Sequence, residues 1–175
     1  MQRLASYIHG PHSRLGLTAA GIVCVLDQAI KFWLIRFVFH FDPRKIVTLA
    51  PVLDLRLLWN SGISYGLFQY GSPRWQWSLF GFKMLAVVVL WAWLARTRSR
   101  LGALSLGLII GGALGNAVDR FAYGAVADFV HFHVGTFSWY VFNVADAAIV
   151  AGVVGLLLES LFVGAVAADR HSAAP

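Results

Sequence analysis

Gly115-Asn116-Ala117-Val118-Asp119-Arg120, Val126-Ala127-Asp128-Phe129 and Phe142-Asn143-Val144-Ala145-Asp146 follow one another in a short part of the chain. Apolar runs flank them, from about Leu101 to Val118 on one side and from about Trp139 to Val163 on the other. Three carboxylates, two carboxamides and a guanidinium therefore fall where apolar segments meet a polar connection. A carboxylate at the centre of a membrane helix costs roughly 2.5–3.5 kcal/mol on insertion scales. Three of them in one place point to a site rather than to packing, and Asp128 and Asp146 are read as its catalytic pair.

Composition supports the membrane setting. Of the 175 residues, 59% are hydrophobic and 13% charged, against about 45–50% and about 25% in soluble domains. The length suits a single integral-membrane domain over 1–175. The net charge of +6 is scattered at segment ends, which fits anionic lipid headgroups and gives no nucleic-acid face. The one cysteine, Cys24, lies in an apolar run and reads as a small core residue.

The pattern predicts a mainly α membrane protein: four transmembrane helices and a small β-rich extracytoplasmic platform. The spans fall at about 15–39, 77–95, 101–118 and 139–163, each near the roughly 20 residues that cross a bilayer core. The first is too long for a signal-peptide core and lacks a small-residue cleavage site. Its Asp27 and Lys31 are four apart, one helix face, and can neutralise each other. The connection 40–74 contains two strand-like runs, Ile46–Leu49 and Val52–Leu58, broken by Asn60-Ser61-Gly62. Tyr70, Trp75 and Trp77 suit an interfacial belt. Lys83, inside the second span, is given no role in the site. The third span is rich in glycine, which lets helices approach closely in lipid. The basic loop Arg96-Thr97-Arg98-Ser99-Arg100 places the termini in the cytoplasm and the connections 40–74 and 119–138 outside. The tail 167–175 reads as disordered.

Within the cluster, Asn116, Asp119 and Arg120 gather at the outer end of the third helix. Asp119 beside Arg120 reads as a structural ion pair. Asn143 and Asp146, three apart, share a face of the fourth helix, and Asp128 lies on a short strand from Val126 to His133. If connection and helix fold back on each other, Asp128 and Asp146 meet and share a proton, which gives an acid and a base. Spacing alone leaves a cation site and a structural network equally open. His131 and His133 alternate on the strand, but no cysteine or third histidine is close in sequence, so zinc is not expected. No phosphate-binding glycine loop is present.

Asp27-Gln28-x-x-Lys31, Asn60-Ser61-Gly62-Ile63-Ser64-Tyr65-Gly66, Gly115-Asn116-x-x-Asp119-Arg120, Val126-Ala127-Asp128-Phe129 and Phe142-Asn143-Val144-Ala145-Asp146, taken in order, resemble the bacterial lipoprotein signal peptidases (signal peptidase II). Each motif alone is weak; the five in sequence are specific and cover nearly the whole chain. The resemblance implies an intramembrane aspartic endopeptidase of the cell inner membrane. It would remove signal peptides from prolipoproteins before the diacylglyceryl-modified cysteine, as a monomer among membrane lipids, with no cofactor and no metal. It places the catalytic dyad on Asp128 and Asp146. It places supporting or substrate-binding roles on Asp27, Lys31, Asn60, Gly62, Asn116, Asp119, Arg120 and Asn143. Tyr65 stands where the family commonly has phenylalanine, and Ala147 where it often has serine.

Two other classes fit the composition. One is a small ion-coupled transporter using Asp27, Lys31 and Asp146 as a relay, which needs polar residues along the whole bundle. The other is a non-enzymatic membrane subunit whose charges pair with a partner.

Overall fold

The structure, a computed structural model, describes residues 9–62 and 73–172, without the side chains of 73–76, 79 and 162–172. Ser64, Tyr65, Gly66, Tyr70 and the ring of Trp75 lie outside the described residues.

Helix α1 (Ser13–Trp33) runs on into a π-helical turn over Leu34–Phe39. No proline interrupts this apolar run. It ends where His40 and Phe41 adopt left-handed backbone, φ 53° and 62°. The Phe41 N–H returns to Ile35 O at 3.1 Å and the Asp42 N–H to Phe39 O at 3.0 Å. The chain then forms the hairpin β1 (Ile46–Ala50) and β2 (Leu53–Asn60). Helices α2 (Pro73–Leu94) and α3 (Arg100–Tyr123) follow. The Ser99 hydroxyl caps α3 by accepting from Gly102 N at 3.2 Å, and Gly124, at φ 72°, closes it. Strands β3 (Val126–Val134) and β4 (Phe137–Phe142) lead into α4 (Val144–Ser172).

The strands make one antiparallel sheet in the order β1-β2-β3-β4. The α2–α3 pair is thus an insertion between two neighbouring strands. Register sets Asp54 opposite His131 and Leu58 opposite Asp128, with an extra β2 residue accommodated between Leu55 and Leu58.

The expected strands appear as β1, β2 and β3. Three boundaries differ. The fourth span, expected from Trp139, begins as a helix only at Val144, because Phe137–Phe142 is a strand. Its aromatic and β-branched residues pair with β3, and a short apolar run does not distinguish strand from helix. Helix α3 continues past Val118 to Tyr123, because Asp119 and Arg120 find partners inside the protein. Helix α4 runs to Ser172, through most of the tail expected to be disordered.

Helix α3 is central and packs on the other three helices. Gly111 and Gly112 make this possible. A Cβ on Gly111 would stand 2.5 Å from Ala20 O of α1, and one on Gly112 would overlap Ala145 O of α4. Two apolar clusters result. One joins the helices through Ala20, Val87, Leu94, Ala103, Leu106 and Ile110. The other seats the sheet on the end of α1 through Leu34, Ile35, Phe39, Leu57, Ala127 and Phe129.

Outside, the helices are apolar: Val25 is 68% exposed and Phe82 72%, while Asp27 and Lys31 are buried. That is the reverse of a soluble protein and suits lipid contact. Among the described residues, two helices are long and apolar enough to cross a membrane, Arg100–Tyr123 and Val144–Leu161, with a shorter apolar stretch at Phe80–Leu94.

Candidate active site

The end of β2, the start of β3, the start of α4 and the inner faces of α1 and α3 converge on one polar cluster. Asp128 is buried near the start of β3. Its Oδ1 accepts from Asn143 Nδ2 at 2.6 Å and its Oδ2 from Asn60 Nδ2 at 3.1 Å. Asp146 lies in the first turn of α4, where the helix dipole favours negative charge. Its Oδ1 accepts from Asn116 Nδ2 at 2.9 Å and its Oδ2 from Asn143 N at 3.3 Å.

Each asparagine has its amide orientation fixed by what its oxygen accepts. Asn60 Oδ1 accepts from Gly62 N two residues on, a side-chain turn, so its NH2 faces Asp128. Asn143 Oδ1 accepts from Asp146 N, so its NH2 also faces Asp128. With Asp146 reaching back to Asn143 N, this pair forms a reciprocal capping box on α4. Asn116 Oδ1 accepts from Lys31 Nζ at 3.1 Å and Asn143 Nδ2 at 3.0 Å, so its NH2 faces Asp146. Sequence spacing placed Asn143 and Asp146 on one helix face; the structure makes them the cap and the first turn.

Behind this layer lies a buried charge triad. Lys31 Nζ is 2.8 Å from Asp27 Oδ2 and 2.7 Å from Asp119 Oδ2. The remaining oxygen of Asp27 accepts from Ala145 N at 2.9 Å, and Asp119 Oδ2 also accepts from Ala127 N at 3.1 Å. Ala127 precedes Asp128 and Ala145 precedes Asp146, in two copies of Val-Ala-Asp. One lysine therefore holds the two carboxylates that anchor the backbone next to both candidate catalytic residues.

The expected Asp119–Arg120 ion pair is not formed. Asp119 pairs with Lys31, whereas Arg120 Nη2 donates to Gly62 O at 3.0 Å. Neighbours on a helix leave it in different directions. Arg120 Nε is buried with no hydrogen-bond partner among the described residues. Gly62, expected beside the site, contributes that carbonyl and the N–H that orients Asn60.

Two residues given no role by the sequence reading lie at or near the cluster. Gln28, quoted in the first motif, donates from Nε2 to Asp119 Oδ1 at 2.8 Å and Gly115 O at 3.0 Å. Lys83 stands within electrostatic reach of Arg120, Asp146 and Asp128, although it was assigned no place in the site. Cys24 is only partly buried and bears on no hydrogen bond described above.

Burial, and after it the charge of Asp146, push the Asp128 carboxyl up to about 7, against the opposing pull of the Asn60 and Asn143 amides and of Lys31. Near neutral pH Asp128 can therefore hold a proton within electrostatic reach of a second carboxylate, the condition for acid and base roles within one pair. N–H donors already occupy the carboxylate oxygens, and the charge of Arg120 lies close by. Such surroundings favour proton sharing over cation binding.

A family model described as signal peptidase (SPase) II matches residues 19–162. A lipoprotein signal peptidase of Methylobacterium sp. (strain 4-46) is 57% identical over 148 residues, 85% of this chain and 89% of that protein. One from Nitrobacter hamburgensis (strain DSM 10229 / NCIMB 13809 / X14) is 56% identical over 151 residues, 84% of this chain and 92% of its own length. A solved bacterial membrane enzyme superposes with a TM-score of 0.72 at 21% identity, covering 84% of this chain and 92% of that one, a likeness of fold.

Proposed function

The chain belongs to the signal peptidase II family, a membrane protease, and from that premise we propose that it is an aspartic endopeptidase that removes signal peptides from prolipoproteins. The cut falls before the cysteine that carries diacylglycerol. All four helices span the bacterial inner membrane as one domain, with the termini in the cytoplasm and the sheet outside. The charges buried in α1 support this arrangement, because the Asp27–Lys31 pair lowers the cost of inserting that helix. The dense basic loop at 96–100 supports the orientation.

What carries the chemistry is the pair Asp128 and Asp146, within electrostatic reach of each other, each held by separate asparagine amides, and with the Asp128 carboxyl pushed up to about 7. Asp128 holds the proton and Asp146 the negative charge. A water between them loses a proton to Asp146 as its oxygen attacks the scissile carbonyl carbon. Asp128 gives its proton to the developing oxyanion. Asp146 then passes the proton it took to the leaving amide nitrogen, the C–N bond breaks, and the proton on the tetrahedral oxygen returns to Asp128. Asn60, Asn116, Asn143 and Arg120 position the substrate backbone and buttress the dyad. The signal helix and the diacylglyceryl group enter from the lipid beside the sheet.

The test is cleavage by the purified chain of a synthetic peptide bearing a diacylglyceryl cysteine. Wild type should cut before that cysteine. Asp128→Asn and Asp146→Asn should each lower the rate by about 10²–10⁴-fold while still binding the peptide, and the double variant should be no slower than either. Near-normal turnover by either single variant would place the chemistry elsewhere. Equal cleavage of the peptide without lipid would remove the diacylglyceryl group from the recognition.

A further inference from the structure

Asp54, His131 and His133 form a second cluster, on the sheet and away from the dyad. His131 and His133 share a face of β3 by strand alternation, and register places Asp54 directly across from His131. Asp128, of opposite parity, leaves the other face. The imidazole rings stack with centroids 5.3 Å apart and 28° between planes. His133 Nε2 is 3.0 Å and His131 Nδ1 3.9 Å from Asp54 Oδ2. One ligand atom from each of the three lies within 4.8 Å of the others.

These atoms are close together yet unsatisfied. Asp54 Oδ1, His131 Nδ1 and His133 Nε2 are all buried and make no hydrogen bond among the described residues. The 3.0 Å approach of His133 to Asp54 lacks hydrogen-bond direction, which is the relation expected of two ligands addressing a common third atom. On its far side, His131 Nε2 shares a 2.7 Å hydrogen bond with Ser138 Oγ. With the hydroxyl accepting from Nε2–H, Nδ1 keeps its lone pair for a cation between it and the carboxylate. An outer hydrogen bond that fixes the tautomer of a histidine is also the usual support of a metal ligand.

We propose that Asp54, His131 and His133 bind a divalent transition-metal ion of zinc-like chemistry, with a fourth position open to water. Two imidazoles and one carboxylate suit such an ion and not calcium or magnesium. Tetrahedral bonds of about 2.0–2.1 Å set ligand atoms about 3.3 Å apart, so small rotations of the rings close the site. Arg56, whose positive charge bears on His131, opposes the ion. The ion clamps β2 to β3 and, through Ser138, reaches β4. It takes no part in the cleavage reaction.

The test uses the full chain in lipid nanodiscs, purified without an added histidine tag, and Zn²⁺ titrated against a chromophoric chelator. One zinc per chain should bind, and Co²⁺ should give the intense visible bands of a four-coordinate site. His131→Gln with His133→Gln should weaken binding by about 100-fold, since metal affinity rests on the number and identity of ligands. Ser138→Ala should weaken it by about tenfold through the outer hydrogen bond. Zinc should raise the melting temperature of wild type and not of the double variant, while both cleave peptide. If the double variant does not fold, Asp54→Asn and the wild-type Co²⁺ spectrum decide. No zinc bound by wild type, equal affinity in the variants, or a six-coordinate Co²⁺ spectrum would each overturn the site.

Discussion

Lys31 Nζ lies 2.7 Å from Asp119 Oδ2, joining α1 to α3 through two side chains that are almost wholly buried. The same ammonium group also holds Asp27. Because these two carboxylates bind the amides of Ala145 and Ala127, the position of Lys31 sets the spacing of Asp146 and Asp128 without touching either. These buried charges thus act as a jig for the proposed catalytic pair.

Lys31→Met leaves two buried carboxylates without their cation. Removing one partner of a buried pair costs about 3–5 kcal/mol, so the melting temperature in nanodiscs should fall steeply and cleavage with it. Asp27→Leu combined with Lys31→Met does not repair this, because Asp119 stays charged. Adding Asp27→Asn and Asp119→Asn to Lys31→Met neutralises all three and should recover stability. A Lys31→Met chain as stable as wild type would contradict the jig.

The carboxyl of Asp128 should govern the alkaline limb of the rate profile. Cleavage needs one proton on the pair, so activity should fall as pH rises through about 7. At low pH a second proton removes the base, giving a bell whose two limbs belong to the pair. Measured kcat/KM that stays flat from neutral to alkaline pH would show that Asp128 does not donate.

Stability should follow the same group with a definite sign. The folded-state value lies above the ordinary 3.8, so between the two values the folded chain binds more protons than the unfolded one. Stability therefore declines as pH rises from about 4 to about 7 and levels off beyond. Asp128→Asn removes this slope and should melt higher than wild type at alkaline pH. Parallel melting curves of the two chains across that range would refute the assignment.

Gly112→Ala tests the close approach of α3 and α4. The added methyl meets the Ala145 carbonyl, a backbone atom that cannot swing aside. The first turn of α4 must shift, and with it Asp146. Cleavage should drop more than substrate binding, and Gly21→Ala, where a Cβ meets nothing within 4 Å, should be silent. Equal behaviour of the two variants would mean that the helix contact is not tight.

Orientation is checked by reporter fusions. Fusions after Arg98 and at the C-terminus should report cytoplasm, and fusions near Arg44 and Tyr123 the outside. An outside signal at Arg98 would put the pair on the wrong face for exported substrates.

Local spacing in the sequence was informative wherever partners are close along the chain. Asp27 and Lys31 pair one turn apart, Asn143 and Asp146 share a helix start, and Val126 begins a strand, as spacing and alternation suggest. Partners set by tertiary packing were not legible. Asp119 looks as if it belongs to Arg120 because they adjoin, but helix rotation sends one to Lys31 and the other to Gly62. Asp54 joins the two histidines only through β2–β3 register, which no spacing along the chain reveals. Trp139–Phe142 is apolar enough for either a helix or a strand, and its pairing with β3 decides.

The carboxylate that binds the Ala145 amide comes from α1, at 2.9 Å. The ribosome makes Asp27 earlier than Ala145, by 118 residues. When α1 emerges it already carries Lys31 one turn from Asp27, so it can be delivered to the bilayer neutralised. Asp146 and the asparagine cap that sets it arrive only with α4. A chain not yet extended through α4 holds Asp128 without Asp146, so under the proposed mechanism it has no complete acid–base pair. On that mechanism cleavage waits for α4 to dock on α1 and α3.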